Sequence, residues 1–302
     1  MQFLYNDYNN RAKELLSRNT NLVHYTSAEA AISIIDKQQL WLRHITLMND
    51  FSEFSYGVEK VSTWGHINRN ALDQLSQKFL NFDFFRMFSF VDQSFWQNVK
   101  FNTYALSLSE HPIEENDHGR LSMWRSYGKS GGVALVMKPN FINQDDMNSS
   151  VYPLPARYWT MEKVTHFFDG LLVSMQSYLA SKSSVGPEDV QNISYQFLLL
   201  LCSLKHPAFT EEREWRLVAN TERLGTGLIS ESLENIRGIP QKILKFDISN
   251  SQKYNLSNML ERVIVGPHPA AKEIAEAIET KLSMNNFSSP VILSDIPFRE
   301  GT

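Results

Sequence analysis

The sequence predicts a single mixed α+β domain, and three observations carry that expectation. Short apolar runs of strand type recur at residues 22–25, 40–42, 133–137 and 262–265. Stretches with helical spacing lie between them, the longest over 58–100 and 160–204. No internal repeat, low-complexity tract or long Pro/Gly-rich linker divides the chain. Residues 1–302 therefore read as one domain, with helical insertions near 58–100 and 160–206.

In chain order, the first strand is expected at 22–25. Thr26-Ser27-Ala28-Glu29 follows with capping-box spacing, a hydroxyl to accept an amide of the first turn and a carboxylate to reach back. A helix should begin there, its apolar positions Ala28, Ala31, Ile32 and Ile35 at helical spacing, before a strand at 40–42. Residues 43–56 read as a loop, with Asn49-Asp50 and Glu53 among hydroxyls and aromatics. Residues 58–100 read as amphipathic helix, and 104–109 alternates as a strand. Gly131-Gly132 ends a polar turn before the apolar run 133–137, and 151–158 is a weaker strand. Two helices should fill 160–204, split near Gly186-Pro187. Residues 214–218 read as strand, Gly225 and Gly227 as loop, and 243–246 as strand. The last unit is strand 262–265, helix 270–282 with Pro267 and Pro269 around its start, and strand 291–293.

Composition narrows the function. The chain has 302 residues, 42% apolar and 21% charged, which is core enough for a folded domain. Its 29 basic and 33 acidic residues give a net charge of −4, so no global positive field draws nucleic acid, and such a partner needs a local basic patch. The single cysteine, Cys202, excludes an internal disulfide and fits a cytoplasmic home. Residues 1–11 carry Asn and Asp where a signal peptide needs apolar residues, and the longest apolar run, 197–202, is far short of the roughly 20 residues that span a bilayer. A soluble protein without a membrane partner is expected. The histidines show no H-E-x-x-H or H-x-x-x-H spacing, so no metal site is expected. Aromatics are 12% of the chain, and Trp41, Trp124 and Trp215, beside short apolar runs, are expected to be structural.

Several motifs could carry chemistry. His24-Tyr25-Thr26 sits where a strand enters a capped helix, a junction that points backbone N–H groups at one place and suits an anionic ligand such as pyrophosphate. There His24 could bond a ribose hydroxyl and Tyr25 stack on a ring; packing residues are the bland alternative. Ser107 and Ser109, two apart on a strand, share a face and could line a nucleotide pocket. Arg125 could pair with phosphate, or with an acid, Asp50 or Glu53. In an extended chain Glu212 and Glu214 point to one side, so that their like charges could raise one pKa and leave the other an anion. The competing reading is a solvated, salt-bridged strand edge with Arg213 and Arg216.

An ordered series of motifs then carries a resemblance. It runs through Leu40-Trp41 with Ile45, Asn49-Asp50 and Glu53-Phe54, then Trp124-Arg125-Ser126-Tyr127-Gly128 and Gly132-Val133-Ala134-Leu135. It continues through Lys205-His206-Pro207-Ala208-Phe209, Glu211-Glu212 and Glu214-Trp215-Arg216 to Val265-Gly266-Pro267 and Ile296-Pro297-Phe298-Arg299. Over about 22–299 the chain resembles a bacterial domain-of-unknown-function family related to abortive-infection proteins. More remotely, His24-Tyr25-Thr26, the helix after it and the Glu212-Arg213-Glu214 strand resemble the ADP-ribosyltransferase superfamily, including its DNA-targeting toxin branch. That resemblance implies a split, mixed β-sheet with helical insertions and a site for NAD as substrate. It implies that His24 meets the nicotinamide-side ribose, that Glu214 stabilises an oxocarbenium-like state, and that Glu212 positions the acceptor. Tyr25, Thr26, Ser107, Ser109 and Arg125 complete the expected cofactor side. The expected function is transfer of ADP-ribose to a nucleic acid or protein in phage defence or a toxin system, with an antitoxin or other defence protein as partner. Two alternatives stand beside it: a non-catalytic nucleotide-binding or sensor module of the same fold, and a hydrolase using the paired carboxylates.

Overall fold

The computed structural model describes residues 2–47, 51–77, 83–89, 102–127, 131–142, 150–181, 186–225, 227–236, 238–249 and 254–297. The chain begins with helix α1 (Gln2–Ser17), strand β1 (Asn21–Ser27), α2 (Ala28–Lys37) and β2 (Gln39–His44). Three helices follow, α3 (Phe51–Ile67), α4 (Arg69–Ser76) and α5 (Phe84–Ser89), then β3 (Thr103–His111), α6 (Leu121–Tyr127) and β4 (Gly132–Met137). Next come β5 (Tyr152–Pro155), β6 (Arg157–Tyr158), α7 (Met161–Ser181), α8 (Pro187–Ser203), β7 (Leu204–Lys205) and β8 (Glu214–Asn220). The chain closes with β9 (Ile229–Ile236), β10 (Ile239–Asp247), α9 (Leu256–Met259), β11 (Leu260–Val265), α10 (Ala271–Met284) and β12 (Val291–Leu293). The architecture is α+β, with a large mixed sheet in which, among the described residues, only β11 and β12 pair in parallel.

Most expected elements form, with differences that have local causes. The cap of α2 is Ser27 rather than Thr26: the Ser27 hydroxyl accepts from the Ala30 amide at 3.2 Å, while Thr26 still pairs with Val133 as strand. The loop expected over 43–56 gives way to helix from Phe51. The helix α1 and the strand β9 have no counterpart in the expectations. The break between α7 and α8 falls where Pro187 occupies the first turn, a position that needs no amide donor.

The sheet is divided, and β3 divides it. One edge of β3 pairs with β8 from Thr103 to Ser109. The opposite edge pairs with β1 through Ser109–His111 and with β2 through Tyr104 and Ala105. Between them, Leu106, Ser107 and Leu108 have no strand neighbour on that edge among the described residues. Two wings therefore leave β3, β1-β4-β11-β12 at one end and β2-β10-β9 at the other. Helix α2 connects β1 to β2, and its Ala31, Ile34 and Ile35 join Leu106 and Leu108 in the main apolar core, which backs the gap on that face. Tyr8, Ala12 and Leu15 of α1 belong to the same core, with Tyr8 edge-on to the Trp215 ring at 6.3 Å.

A second apolar cluster joins α3, α4, α5, α7 and α8 around Trp64, Phe84, Phe88, Phe168 and Phe197. The buried Trp64 indole donates to Asp169 at 2.8 Å, so the one polar atom of that ring is satisfied inside the cluster. No helix among the described residues is long and apolar enough to cross a membrane.

Candidate functional site

Strand alternation puts Ser107 and Ser109 of β3 on the same face as Glu214 and Arg216 of β8, because Ser109 stands opposite Glu214 and Ser107 opposite Arg216. Val23 stands opposite Ser109 and Val136 opposite Val23, so Tyr25 also belongs to this face. Two apolar clusters flank the polar strip. One holds Val23, Tyr25, Met123 and Trp124; the other holds Ala105, Leu154, Cys202 and Val218. The site is a charged and hydroxylic band between two greasy patches, at the edge where the sheet divides.

His24 leaves β1 toward the other face, in register with Leu135 of the main core. Its ring nevertheless reaches across the gap, and Nδ1 lies 3.0 Å from the Ser107 carbonyl oxygen. The Ser107 hydroxyl lies on the same face as the Glu214 carboxylate, buried and with no hydrogen-bond partner among the described residues. His24 and Ser107 are thus joined through a backbone carbonyl, while Ser107 shares only a strand face with Glu214. Burial holds the His24 imidazole below its usual pKa, only partly offset by that carbonyl.

Glu214 is 2% exposed and fully engaged. Arg216 grips it in a fork, Nε to Oε1 at 2.9 Å and Nη2 to Oε2 at 2.9 Å, and Lys205 Nζ adds a bond to Oε2 at 2.9 Å. Lys205 has no exposed side-chain surface and also holds Glu212 Oε2 at 2.6 Å. The backbone N–H of Glu214 donates to Tyr158 Oη at 2.8 Å. Burial alone would push the Glu214 carboxyl up; Arg216 and then Lys205 outweigh it and hold the group down at about 2. Glu214 is therefore not the carboxyl whose pKa is raised, and an ammonium, bonded to both acids, stands between them. Nor is this a solvated strand edge, since all seven residues of β8 are buried.

The 3-10 turn Pro207–Glu212 delivers Glu212, and Arg213 follows in the left-handed region at φ 45. That residue reverses the chain, so Glu212 and Glu214 meet at Lys205 by a turn rather than by two-residue strand spacing. Glu212 keeps 29% of its side chain exposed and is the acid that faces solvent.

The remaining expected residues are placed differently. Tyr25 is 4% exposed, lies edge-on to Trp124 at 4.9 Å, and accepts the backbone N–H of Arg120 on its hydroxyl at 2.8 Å. Its role here is packing and anchoring, not an open stacking platform. Thr26 stays within β1 opposite Val133. Arg125 is exposed on α6; Asn49, Asp50 and the side chain of Glu53 lie outside the described residues, so the expected Arg125 contact falls outside them too. Trp124 and Trp215 are 1% and 0% exposed, whereas Trp41 is half-buried with Lys245 Nζ 5.6 Å from its ring centroid. Sequence reading missed Lys205 as an ion-pair centre and Arg120 altogether. The available signal was a lone cation next to apolar residues, Lys205 after 197–204 and Arg120 just before Leu121.

Residues 123–217, about a third of the chain, match the model of a family described as a protein of unknown function (DUF2971). That segment contains Lys205, Glu212, Glu214 and Arg216 and excludes His24, Ser107 and Ser109. No curated protein and no solved structure matches the chain significantly. The family match brings no activity with it and bears neither on abortive infection nor on ADP-ribosyl transfer.

Proposed function

We propose that the divided sheet holds a nucleotide, and that the chain acts as an ADP-ribosyltransferase-like protein using NAD as substrate. One observation carries this reading: the gap between β1 and β2 lies at Ser107, whose carbonyl meets His24 and whose buried, unpartnered hydroxyl lies on the face of the ionised Glu214. Cleaving the nicotinamide–ribose bond develops positive charge on the ribose. A carboxylate ionised at neutral pH and fixed by three bonds needs no reorganisation to face that charge. Glu212, tethered by Lys205 and open to solvent, is placed to orient an acceptor, a nucleic acid or a protein. A role in bacterial phage defence, with a protein that restrains the effector, belongs to the same reading.

A second reading has one observation in its favour. Both oxygens of Glu214 are taken by Arg216 and Lys205, which leaves little field for a ligand. This favours a nucleotide-binding or sensor module without turnover. The hydrolase reading gains nothing from the geometry, because Glu214 is held ionised and both carboxylates are tied to the same Lys205 ammonium.

Calorimetric titration with NAD, nicotinamide release, and transfer of labelled ADP-ribose into cell extract test the proposal together. Binding with release and labelling supports the transferase. Saturable binding with neither supports the sensor module, and no binding of NAD at all defeats both.

A further inference from the structure

Arg120 enters the core one residue before α6. Gly119 precedes it at φ 70, and a Cβ there would lie 2.6 Å from the Trp124 ring, so only glycine makes this entry without strain. The Arg120 side chain is 7% exposed. Nε and Nη2 form a fork on Glu115, at 3.0 Å to Oε1 and 3.1 Å to Oε2. Nη1 donates to the carbonyls of Glu211 and Glu212 at 3.0 and 2.9 Å, and Nη2 also donates to the Glu110 carbonyl at 2.7 Å. All five guanidinium N–H groups are thereby used. The backbone N–H of the same residue goes to Tyr25 Oη on β1.

We propose that Arg120 is a positioning residue that sets the separation between Tyr25 on β1 and the Glu211–Glu214 segment, on opposite edges of β3, across the end of that strand at Glu110. As a functional role this rests on the transferase reading above. The physical argument is directional: the two carbonyls it holds belong to the last peptides before Arg213 turns the chain into β8. Their orientation fixes where Glu212 meets Lys205 and where Glu214 begins. Glu115 compensates the buried charge, so the clamp is an ion pair turned to bind backbone. A lysine keeps the charge but has three donors and no planar fork, and cannot serve Glu115 and three carbonyls at once. An arginine that only stabilised the fold would lower the unfolding midpoint uniformly; a positioning residue also loosens one segment and slows turnover without loss of ligand.

The test compares wild type, Arg120→Lys and Glu115→Gln in the full chain, at matched folded fraction. The readouts are amide exchange over 208–215 against α10, NAD affinity by calorimetry, and nicotinamide release. The expected result for Arg120→Lys is faster exchange confined to 208–215, NAD affinity within about threefold, and release slowed at least about tenfold, since small misplacements near reacting groups cost up to about 10²-fold. Unchanged exchange with unchanged release overturns the proposal, as does faster exchange spread equally over α10. If wild type releases no nicotinamide, the transferase reading fails by itself. The clamp then stands or falls on whether exchange in 208–215 rises selectively. If Arg120→Lys does not fold, Glu115→Gln, which loosens the fork while leaving the carbonyl bonds available, carries the same comparison with a smaller expected effect.

Discussion

Two parts of the sheet use the same residue types in opposite ways. On β8, Glu214 and Arg216 sit among seven consecutive buried residues, and Lys205 completes the set from β7. On the β9–β10 hairpin, Glu231 and Glu234 pair with Lys242 and Lys245 across neighbouring strands, in a stretch that alternates between half-buried and exposed. In the hairpin water shares the solvation of each charge, and a broken pair is resolvated. Inside β8 nothing but the partner can do this, so the cluster must be complete or fail. The directions of the shifts fit: Glu214 is held down at about 2 against burial by Arg216 and Lys205, whereas the exposed Lys242 is raised chiefly by its hydrogen bond to Glu231. Identical letters thus describe a rigid internal device in one place and a surface detail in the other.

The largest expected effect breaks the buried cluster. Glu214→Gln leaves Lys205 and Arg216 buried without their shared anion and should cost about 3–5 kcal/mol of stability in urea unfolding. This alters what the substitution can prove. For an acid that only stabilised an oxocarbenium-like state, Glu214→Gln would spare the fold and abolish chemistry; in the structure it threatens both. Glu212→Gln, with its partly exposed side chain, is the cleaner functional probe and should impair transfer more than NAD hydrolysis. A Glu214→Gln protein as stable as wild type would show that the cluster is wet and the contrast with the hairpin mistaken.

Packing supplies the next comparison. Trp215→Ala and Trp124→Ala should each cost about 3–5 kcal/mol, since both rings are enclosed, and Trp41→Ala clearly less, since its ring is half-buried under Lys245. Equal losses at all three would contradict the burial pattern.

What the sequence made legible follows the same division. Strands that are apolar on both faces, such as 133–137, announce themselves, because burial on two sides leaves few acceptable residues. The strand β9 reads Ile-Ser-Glu-Ser-Leu-Glu-Asn-Ile, and its polar residues mark a surface without naming a strand. The helix α1 hides behind Asn and Asp. Of the site, the shared face of Ser107 and Ser109 was visible from spacing alone. The gap was not, because it depends on which strands β3 chooses as neighbours. The meeting of Glu212 and Glu214 at Lys205 was equally hidden, since it needs the left-handed Arg213 and a cation from another element. Arg120 carries no local pattern: its guanidinium is held by three carbonyls and one acid, and carbonyls leave no mark in a sequence.

Acid should separate two buried groups in turn. His111 is 1% exposed, both ring nitrogens lack a hydrogen-bond partner within the described residues, and burial, then Arg120 and Arg262, hold its pKa down at about 4, with Glu115, Asn116 and His118 also around it. Above about pH 6.5 the ring is neutral folded or unfolded and contributes no pH dependence. As pH falls from 6.5 toward 4 the unfolded chain takes the proton first, and stability declines by up to about 3 kcal/mol. Glu214 acts below that range: its stabilisation is present above about 4.5 and is lost as pH falls toward 2. Urea unfolding against pH should therefore show two descending steps, and His111→Gln should remove the upper one. A single step near pH 4 in wild type would rule out a neutral, buried His111.

The smallest expected effect is the hairpin's, and its smallness is the point. Lys242 and Glu231 keep 45% and 46% of their side chains exposed, so their attraction competes with hydration and with the rotamer freedom both give up. A double-mutant cycle with Lys242→Met and Glu231→Gln should give a coupling of no more than about 0.5 kcal/mol, and less still at high salt, because ions screen exposed charges. The same cycle on Lys205→Met and Glu214→Gln should give several times more and barely respond to salt, since no ion reaches a pair whose side chains are 0% and 2% exposed. The ratio of the two couplings, measured in one protein, isolates burial from residue type. Similar values, or equal salt sensitivity, would mean that water enters the β8 cluster, and Glu214 would then be free to respond to a ligand as an exposed acid does.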